Sequence, residues 1–248
     1  MKPPARLFTV RNYFRMRQHD QMLSAIHAKY AAFTMIPRFE YILNLQLVER
    51  VRAIPGAVVE CGAWRGGMIA GIAEVLGDSR EYIVCDSFQG LPKAQPIDGP
   101  EALHWQASID DPNYHENCRA PEIAARTAMA LSPARRVQIV AGWFATTLPT
   151  LRLPEGIALL RLDADWYEST ITCLDNLYHH VRPGGLIILD DYYTWDGCAH
   201  ALHDFLARRN LPLRVRQWAD TVCYIRVPGA DCSPGNRNEE LGASCVKH

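Results

Sequence analysis

Hydrophobic residues change their spacing several times along this chain, and each change marks an element. Ile36, Phe39, Leu43, Leu47 and Val51 recur at helical intervals behind Thr34, a candidate N-cap, and Pro55-Gly56 ends the run. The preceding residues lack a clean period, although Met22, Ile26, Tyr30 and Phe33 can share a helix face. Beyond residue 56 the apolar positions gather into short continuous runs at 57–59, 82–85, 137–140, 157–162 and 186–189. Helical spacing returns between and after them, in Ile69, Ile72, Ala73 and Leu76 and over 122–131, 170–180 and 199–209. Short apolar strands alternating with helices predict parallel βαβ units buried on both faces. The segments 213–217 and 221–227 flank a short turn at 218–220 and read instead as an antiparallel hairpin.

Two stretches break the rhythm. Residues 92–120 hold Pro92, Pro96, Gly99, Pro100, Asp110, Asp111 and Pro112 and read as a long loop. A loop of that length in a compact domain is functional or disordered, and its Trp105, Tyr114 and His115 point to a lid. From Gly229 the composition turns to Gly, Ser, Asn and Asp, which predicts a disordered tail over 229–248. No internal repeat and no linker divides the rest. The expected organisation is a helical extension at 1–55, one α/β domain at 56–228 with a 92–120 insert, and the tail.

Charge and cysteine content then narrow the classes. The 26 Lys+Arg against 27 Asp+Glu give a net charge of -1, which argues against nucleic acid or a membrane surface as a partner. No apolar run approaches the ~18 residues of a membrane span. Lys2, Arg6, Arg11, Arg15 and Arg17 precede the first acid, Asp20, and read as a basic arm rather than a transit peptide. The eight cysteines form no CxxC pair and several lie in apolar runs, as Cys85 does, so reduced thiols and a cytoplasmic location are expected. His179-His180 and His200-x-x-His203 lack a metal-binding pattern, and neither a P-loop nor a GxSxG elbow is present.

In an open α/β sheet, ligands bind outside the carboxyl ends of the strands. Those ends are acidic here: Glu60, Asp86, Asp163 and the pair Asp190-Asp191. The first strand runs into a glycine turn, Gly62-Ala63-Trp64-Arg65-Gly66-Gly67, that lets a ligand approach amides at a helix N-terminus, yet it is not GxGxxG and an acid precedes it. That acid would repel a pyrophosphate and suit a cationic ligand. Asp86, ending the next strand, stands where an acid accepts the two hydroxyls of a ribose. Together these features describe a site for S-adenosylmethionine. Asp163, Asp165, Asp190 and Asp191 would repel one another unless a cation neutralised them, and hard oxygen donors without His or Cys favour Mg²⁺. A hydroxyl beside such an ion becomes more acidic, and Asp165 is then available as a general base.

The same residues fall in six ordered blocks: TMIP at 34–37, VVECGAWRGG at 58–67, CDSFQGLP at 85–92, GWFATTLP at 142–149, LRLDADWYEST at 160–170 and PGGLIILDDY at 183–192. On these the chain resembles the macrocin O-methyltransferase family, the Mg²⁺-dependent, S-adenosylmethionine-using sugar O-methyltransferases of antibiotic biosynthesis. The resemblance covers roughly residues 30–210. It implies a class I methyltransferase fold, a Rossmann-like three-layer sandwich with a mostly parallel seven-stranded sheet ending in the antiparallel hairpin, and a homodimer or larger homo-oligomer. It implies Mg²⁺ on Asp163, Asp190 and Asp191, with Asp165 deprotonating a small-molecule hydroxyl. It implies cofactor contacts from Met35, Glu60, Gly62, Trp64, Arg65, Gly66, Asp86, Ser87, Phe88, Gly142 and Trp143. Many relatives have Gly where this chain has Ala164 and a smaller residue where it has Trp166, which narrows the acceptor pocket. The 92–120 insert and the sequence after Thr194 follow the family pattern poorly, and such segments shape acceptor choice. The other readings are a metal-dependent aryl or catechol O-methyltransferase and, more remotely, a nucleotide-binding Rossmann protein or reductase. The complete acid cluster and the missing glycine spacing count against the last.

Overall fold

The computed structural model describes residues 10–112 and 114–229. The expected tail lies almost wholly outside the described residues, as does the start of the basic arm. Helices α1 (Val10–Tyr30) and α2 (Arg38–Val48) precede β1 (Ala57–Cys61). The chain continues through α3 (Gly67–Leu76), β2 (Glu81–Asp86), α4 (Pro100–Ala107), a left-handed turn α5 (His115–Cys118), α6 (Glu122–Leu131) and β3 (Arg136–Ala141). It ends with α7 (Phe144–Thr147), β4 (Ile157–Leu162), α8 (Tyr167–Leu177), β5 (Val181–Leu189), α9 (Asp196–Arg208), β6 (Arg216–Trp218) and β7 (Val222–Arg226).

The strands form one seven-stranded sheet in the order β3-β2-β1-β4-β5-β7-β6. β1 to β5 run parallel, while β7 is antiparallel to β5 and β6 antiparallel to β7. Successive side chains in a strand point to opposite faces, so each strand serves two cores. Val58, Tyr82, Val84, Leu159 and Ile188 pack with α1, α2, α3 and α6. Val59, Cys61, Ile83, Leu160, Leu162 and Ile187 pack with α8 and α9 on the other side. The result is the three-layer α/β sandwich expected from the sequence, hairpin included.

Three differences have physical causes. Thr34 does not cap α2: its Oγ1 accepts the Ile36 N–H at 3.1 Å, and the helix begins only after Pro37. Proline disfavours helical backbone at the residue before it, so no helix can run from Thr34 through Ile36. The strand at 136–141 is not buried on both faces; β3 is an edge strand and much of it is exposed. The 92–120 segment is not a structureless loop. It carries α4, α5 and a 3₁₀ turn at Pro96–Asp98, and its ends are stitched by Leu91 N–H to the Asn117 carbonyl (3.0 Å) and Asn117 Nδ2 to the Leu91 carbonyl (2.7 Å).

One buried carboxylate fixes this insert to α8. Asp98 Oδ2 accepts the Gln95 N–H and Oδ1 accepts the Tyr167 N–H, both at 2.7 Å, so a residue of the insert caps the first turn of α8. The ordinary N-cap, Trp166, offers no acceptor. No helix among the described residues is long and apolar enough to cross a membrane. Asp98→Ala removes two amide acceptors and should destabilise the protein by about 1–3 kcal/mol, seen as a drop of several degrees in melting temperature; an unchanged melt would show that the insert is held by other contacts.

Candidate active site

The carboxyl ends of β1, β2, β4 and β5 meet at one rim, and the turns leaving them are tightly pressed. Gly62, at φ +86°, donates its N–H to the Cys85 carbonyl at 2.8 Å. A Cβ there would lie 1.6 Å from the Asp163 carbonyl oxygen, so only glycine lets the turns after β1 and β4 approach this closely. Trp64 (φ +50°), Phe88 (φ +54°) and Asp165 (φ +57°) hold left-handed backbone in the turns after β1, β2 and β4. Each such residue costs on the order of 1–2 kcal/mol, and neighbouring bonds must hold it there. Asp86 supplies two of them, accepting the Trp64 N–H on Oδ2 and the Phe88 N–H on Oδ1, both at 2.7 Å.

Behind the turns lies Arg161, fully buried on β4. Its guanidinium reaches Glu60 and Asp163 at 2.8 Å each and Asp190 at 2.5 Å. The first of these pairs follows from strand register, because Glu60 stands opposite Arg161 across β1 and β4. The second oxygen of Glu60 accepts the Ile69 N–H at 3.2 Å, in the first turn of α3. Asp163 leads on to Asp165 and Asp191, and the three present carboxylate oxygens within 4.8 Å of one another. Asp190 is not in that trio, because its Oδ1 is turned to the guanidinium.

One positive charge therefore serves five clustered carboxylates, and the proton affinities of Glu60, Asp163, Asp165 and Asp191 record the deficit. Burial, then the Asp163 charge, pushes Asp165 up to about 8. Burial and Asp190 raise Asp163 to about 6, and burial raises Glu60 to about 7 against the pull of Arg161. Asp191 is raised well above the usual carboxylate range by burial and by Asp165. Hard oxygen donors in a buried, undercompensated cluster fit a divalent cation such as Mg²⁺.

Asp163 and Asp165 of the cluster line a cavity of about 390 Å³, a size suited to a small-molecule site. Met35, Gly62, Trp64, Asp86, Ser87, Trp143, Asp163 and Asp165 line it. An adjoining cavity of about 180 Å³ shares Met35, Gly62, Trp64 and Asp163 and adds Glu60 and Asp190. Arg65, Gly66, Phe88 and Gly142 line neither and act on the shape of the turns. Arg65 stacks over the Trp64 ring at 4.2 Å, Gly66 lies against Ala125, Phe88 packs on the core, and the Gly142 N–H bonds to the Asp86 carbonyl at 2.9 Å. Sequence reasoning missed Arg161, Asp98 and Trp195. The signal for Arg161 was present, since a lone cation in the apolar run 157–162, two residues before Asp163, shares its strand face.

The macrocin-O-methyltransferase (TylF) family profile matches residues 17–226. The 8-demethyl-8-(2,3-dimethoxy-alpha-L-rhamnosyl)-tetracenomycin-C 4'-O-methyltransferase of Streptomyces olivaceus is 36% identical over 74% of this chain and 71% of that protein. The mycinamicin III 3''-O-methyltransferase of Micromonospora griseorubida is 33% identical over 64% of this chain and 63% of that protein, so the match spans less than two thirds of that relative's length. The solved structure of the O-methyltransferase NovP superposes with a TM-score of 0.66 at 31% identity, covering 79% of this chain and 82% of that one.

Arg161→Met should cost about 3–5 kcal/mol in urea denaturation, because it strands the buried Glu60 and the half-buried Asp163 and Asp190. The raised carboxyls also set a pH dependence. Their folded values lie above the unfolded values near 4, so the native state holds extra protons and stability must fall as pH rises from about 4 to 8. In chelator-treated protein, Asp165→Asn should flatten the upper end of that fall, by up to about 1.4 kcal/mol per pH unit; parallel profiles for wild type and variant would contradict the assignment of Asp165.

Proposed function

The chain belongs to the macrocin O-methyltransferase family, and from that premise we propose that it moves the methyl group of S-adenosylmethionine onto a sugar hydroxyl of a small secondary metabolite in a Mg²⁺-dependent reaction. As a member of the family it is an S-adenosylmethionine-dependent O-methyltransferase. The observation that carries the finer reading is the convergence of Asp163, Asp165 and Asp191, the first two of them on the wall of a cavity that also holds Gly62 of the glycine turn and Asp86. The sugar acceptor is supported by the relatives, one of which is named as a 4'-O-methyltransferase of a rhamnosyl-tetracenomycin and another as a mycinamicin III 3''-O-methyltransferase.

Bound Mg²⁺ supplies the positive charge that keeps the cluster ionised at neutral pH and acidifies a nearby hydroxyl, and bound S-adenosylmethionine supplies an electrophilic methyl group. Asp163, Asp191 and the free oxygen of Asp190 would hold the ion. Asp165 accepts the hydroxyl proton on the oxygen that carries no hydrogen bond. Asp86 would accept the ribose hydroxyls, Gly62 would give the cofactor access to the turn, and Trp143 with Met35 would cover it. Glu60, Arg65, Gly66, Phe88, Ser87 and Gly142 complete the cofactor site, several of them by shaping its turns. Holding acceptor and methyl in line in a closed cavity supplies most of the acceleration, as positioning does in bimolecular transfers. The free thiols at Cys61, Cys85, Cys173, Cys198 and Cys223, all buried, support a cytoplasmic location, and the exposed β3 edge supports a homodimer or larger homo-oligomer. The 1–55 segment is read as a lid-forming extension of the 56–228 domain.

Methyl transfer from labelled S-adenosylmethionine to a panel of glycosides and catechols should stop with EDTA and return with Mg²⁺. Full turnover after exhaustive chelation would overturn the metal, and turnover on catechols alone would overturn the sugar. Asp165→Asn should lower kcat by about 10²–10⁴-fold while cofactor affinity stays nearly constant.

A further inference from the structure

The indole of Trp195 donates Nε1–H to Asp165 Oδ1 at 3.0 Å. We propose that Trp195 is a positioning residue for the base: its indole holds one oxygen of Asp165 and thereby fixes the other toward the acceptor hydroxyl. The proposal rests on Asp165 being the base and adds the group that orients it.

Both ends of Trp195 are fixed. Its backbone N–H donates to the Asp191 carbonyl at 2.9 Å, which ties it to the acid cluster. Its ring meets Trp166 edge-on at 5.3 Å and Trp105 at 6.0 Å, and Trp105 also packs on Trp166 at 6.1 Å. Trp166 is almost fully buried and donates its own Nε1–H to the Pro92 carbonyl at 3.0 Å. Three tryptophans therefore make a rigid wall, assembled from the insert, the turn after β4 and the segment after β5. Aromatic pairs of this geometry add roughly 0.5–1.5 kcal/mol each beyond burial.

The donor's chemistry suits the task. The Asp165 carboxylate stands among Asp163, Asp190 and Asp191, and repulsion alone leaves the rotation of its carboxyl group unspecified. A Lys or Arg partner would orient it but would also neutralise it and weaken it as a base. An indole N–H is a neutral donor with no acceptor capacity, so it orients the oxygen and leaves most of the basicity.

Trp195→Phe keeps an aromatic ring and removes the donor. It should lower kcat about 10- to 100-fold, the range expected when a reacting group is misplaced by roughly 1 Å, with S-adenosylmethionine KM and melting temperature little changed. A kcat within twofold of wild type would overturn the proposal, as would a loss confined to cofactor KM. The second measurement needs no turnover. The Trp195 indole N–H resonance of ¹⁵N-labelled protein, assigned through its contacts to Trp166, should shift in Asp165→Ala and not in Asp86→Ala. A resonance indifferent to Asp165→Ala would overturn the bond itself. Absence of methyl transfer by the wild type would instead overturn the functional reading, so the two failures are distinguishable.

Discussion

The rim of this sheet is organised around a shortage of positive charge. Arg161 is the one cation paired with the acid cluster among the described residues, and it is shared by Glu60, Asp163 and Asp190. Burying a guanidinium is costly, and the cost is offset only where its donors are met by acceptors of good geometry. Here the acceptors come from β1 and from the turns after β4 and β5, so the ion-pair network ties those elements together in the register the strands already hold. Glu60 carries the same constraint to α3 through the Ile69 N–H. The group that stabilises the centre of the sheet therefore also decides which carboxylates are left over. Asp165 and Asp191 receive no share of Arg161, and the buried position that denies it to them raises their proton affinity.

The backbone at the rim is strained in a way that matches this distribution. Left-handed residues at Trp64, Phe88 and Asp165 bring three successive turns inward, and Gly62 permits contact that no side chain would allow. Asp86 spends both oxygens on amides of two of those turns. Its buried carboxyl is raised from the ordinary value by desolvation, while the amide hydrogen bonds pull the other way. A carboxylate so fixed is pre-organised: it keeps lone pairs for a ligand without needing to reorient. Rigid turns built this way hold a site more accurately than mobile loops.

How much of this the sequence revealed depends on whether the cause was local. The run 157–162 coincides with β4, and the parallel pairing of strands follows from continuous apolar segments, because period and length are local properties. The acids at the strand ends were legible because topology places such ends on one rim. The split between Asp190 and the trio Asp163, Asp165 and Asp191 was not legible, since it depends on where a guanidinium from the penultimate residue of β4 points. The insert was misread for a related reason. Its prolines and aspartates signal turns, yet α4 is held by Ala102 and Trp105 packing against Trp166 and Trp195, partners about 60 to 90 residues away. Roles also blurred at close range. Arg65 and Gly66 lie in the correct turn, but one stacks outward on Trp64 and the other backs onto α6.

These observations change the meaning of a net charge of -1. A near-zero total says that acids and bases balance over the whole surface and is silent on where they fail to balance. In this chain the failure is local, buried and walled by tryptophan. A low-dielectric neighbour strengthens every charge interaction beside it, so the tryptophan cluster packed against Asp165, of which Trp166 lines the cavity, also heightens the repulsion within the acid group. The charge deficit and the apolar packing are thus two sides of one arrangement: Arg161 leaves Asp165 and Asp191 without a share of its charge, and the tryptophans beside them hold Asp165 through the Trp195 N–H.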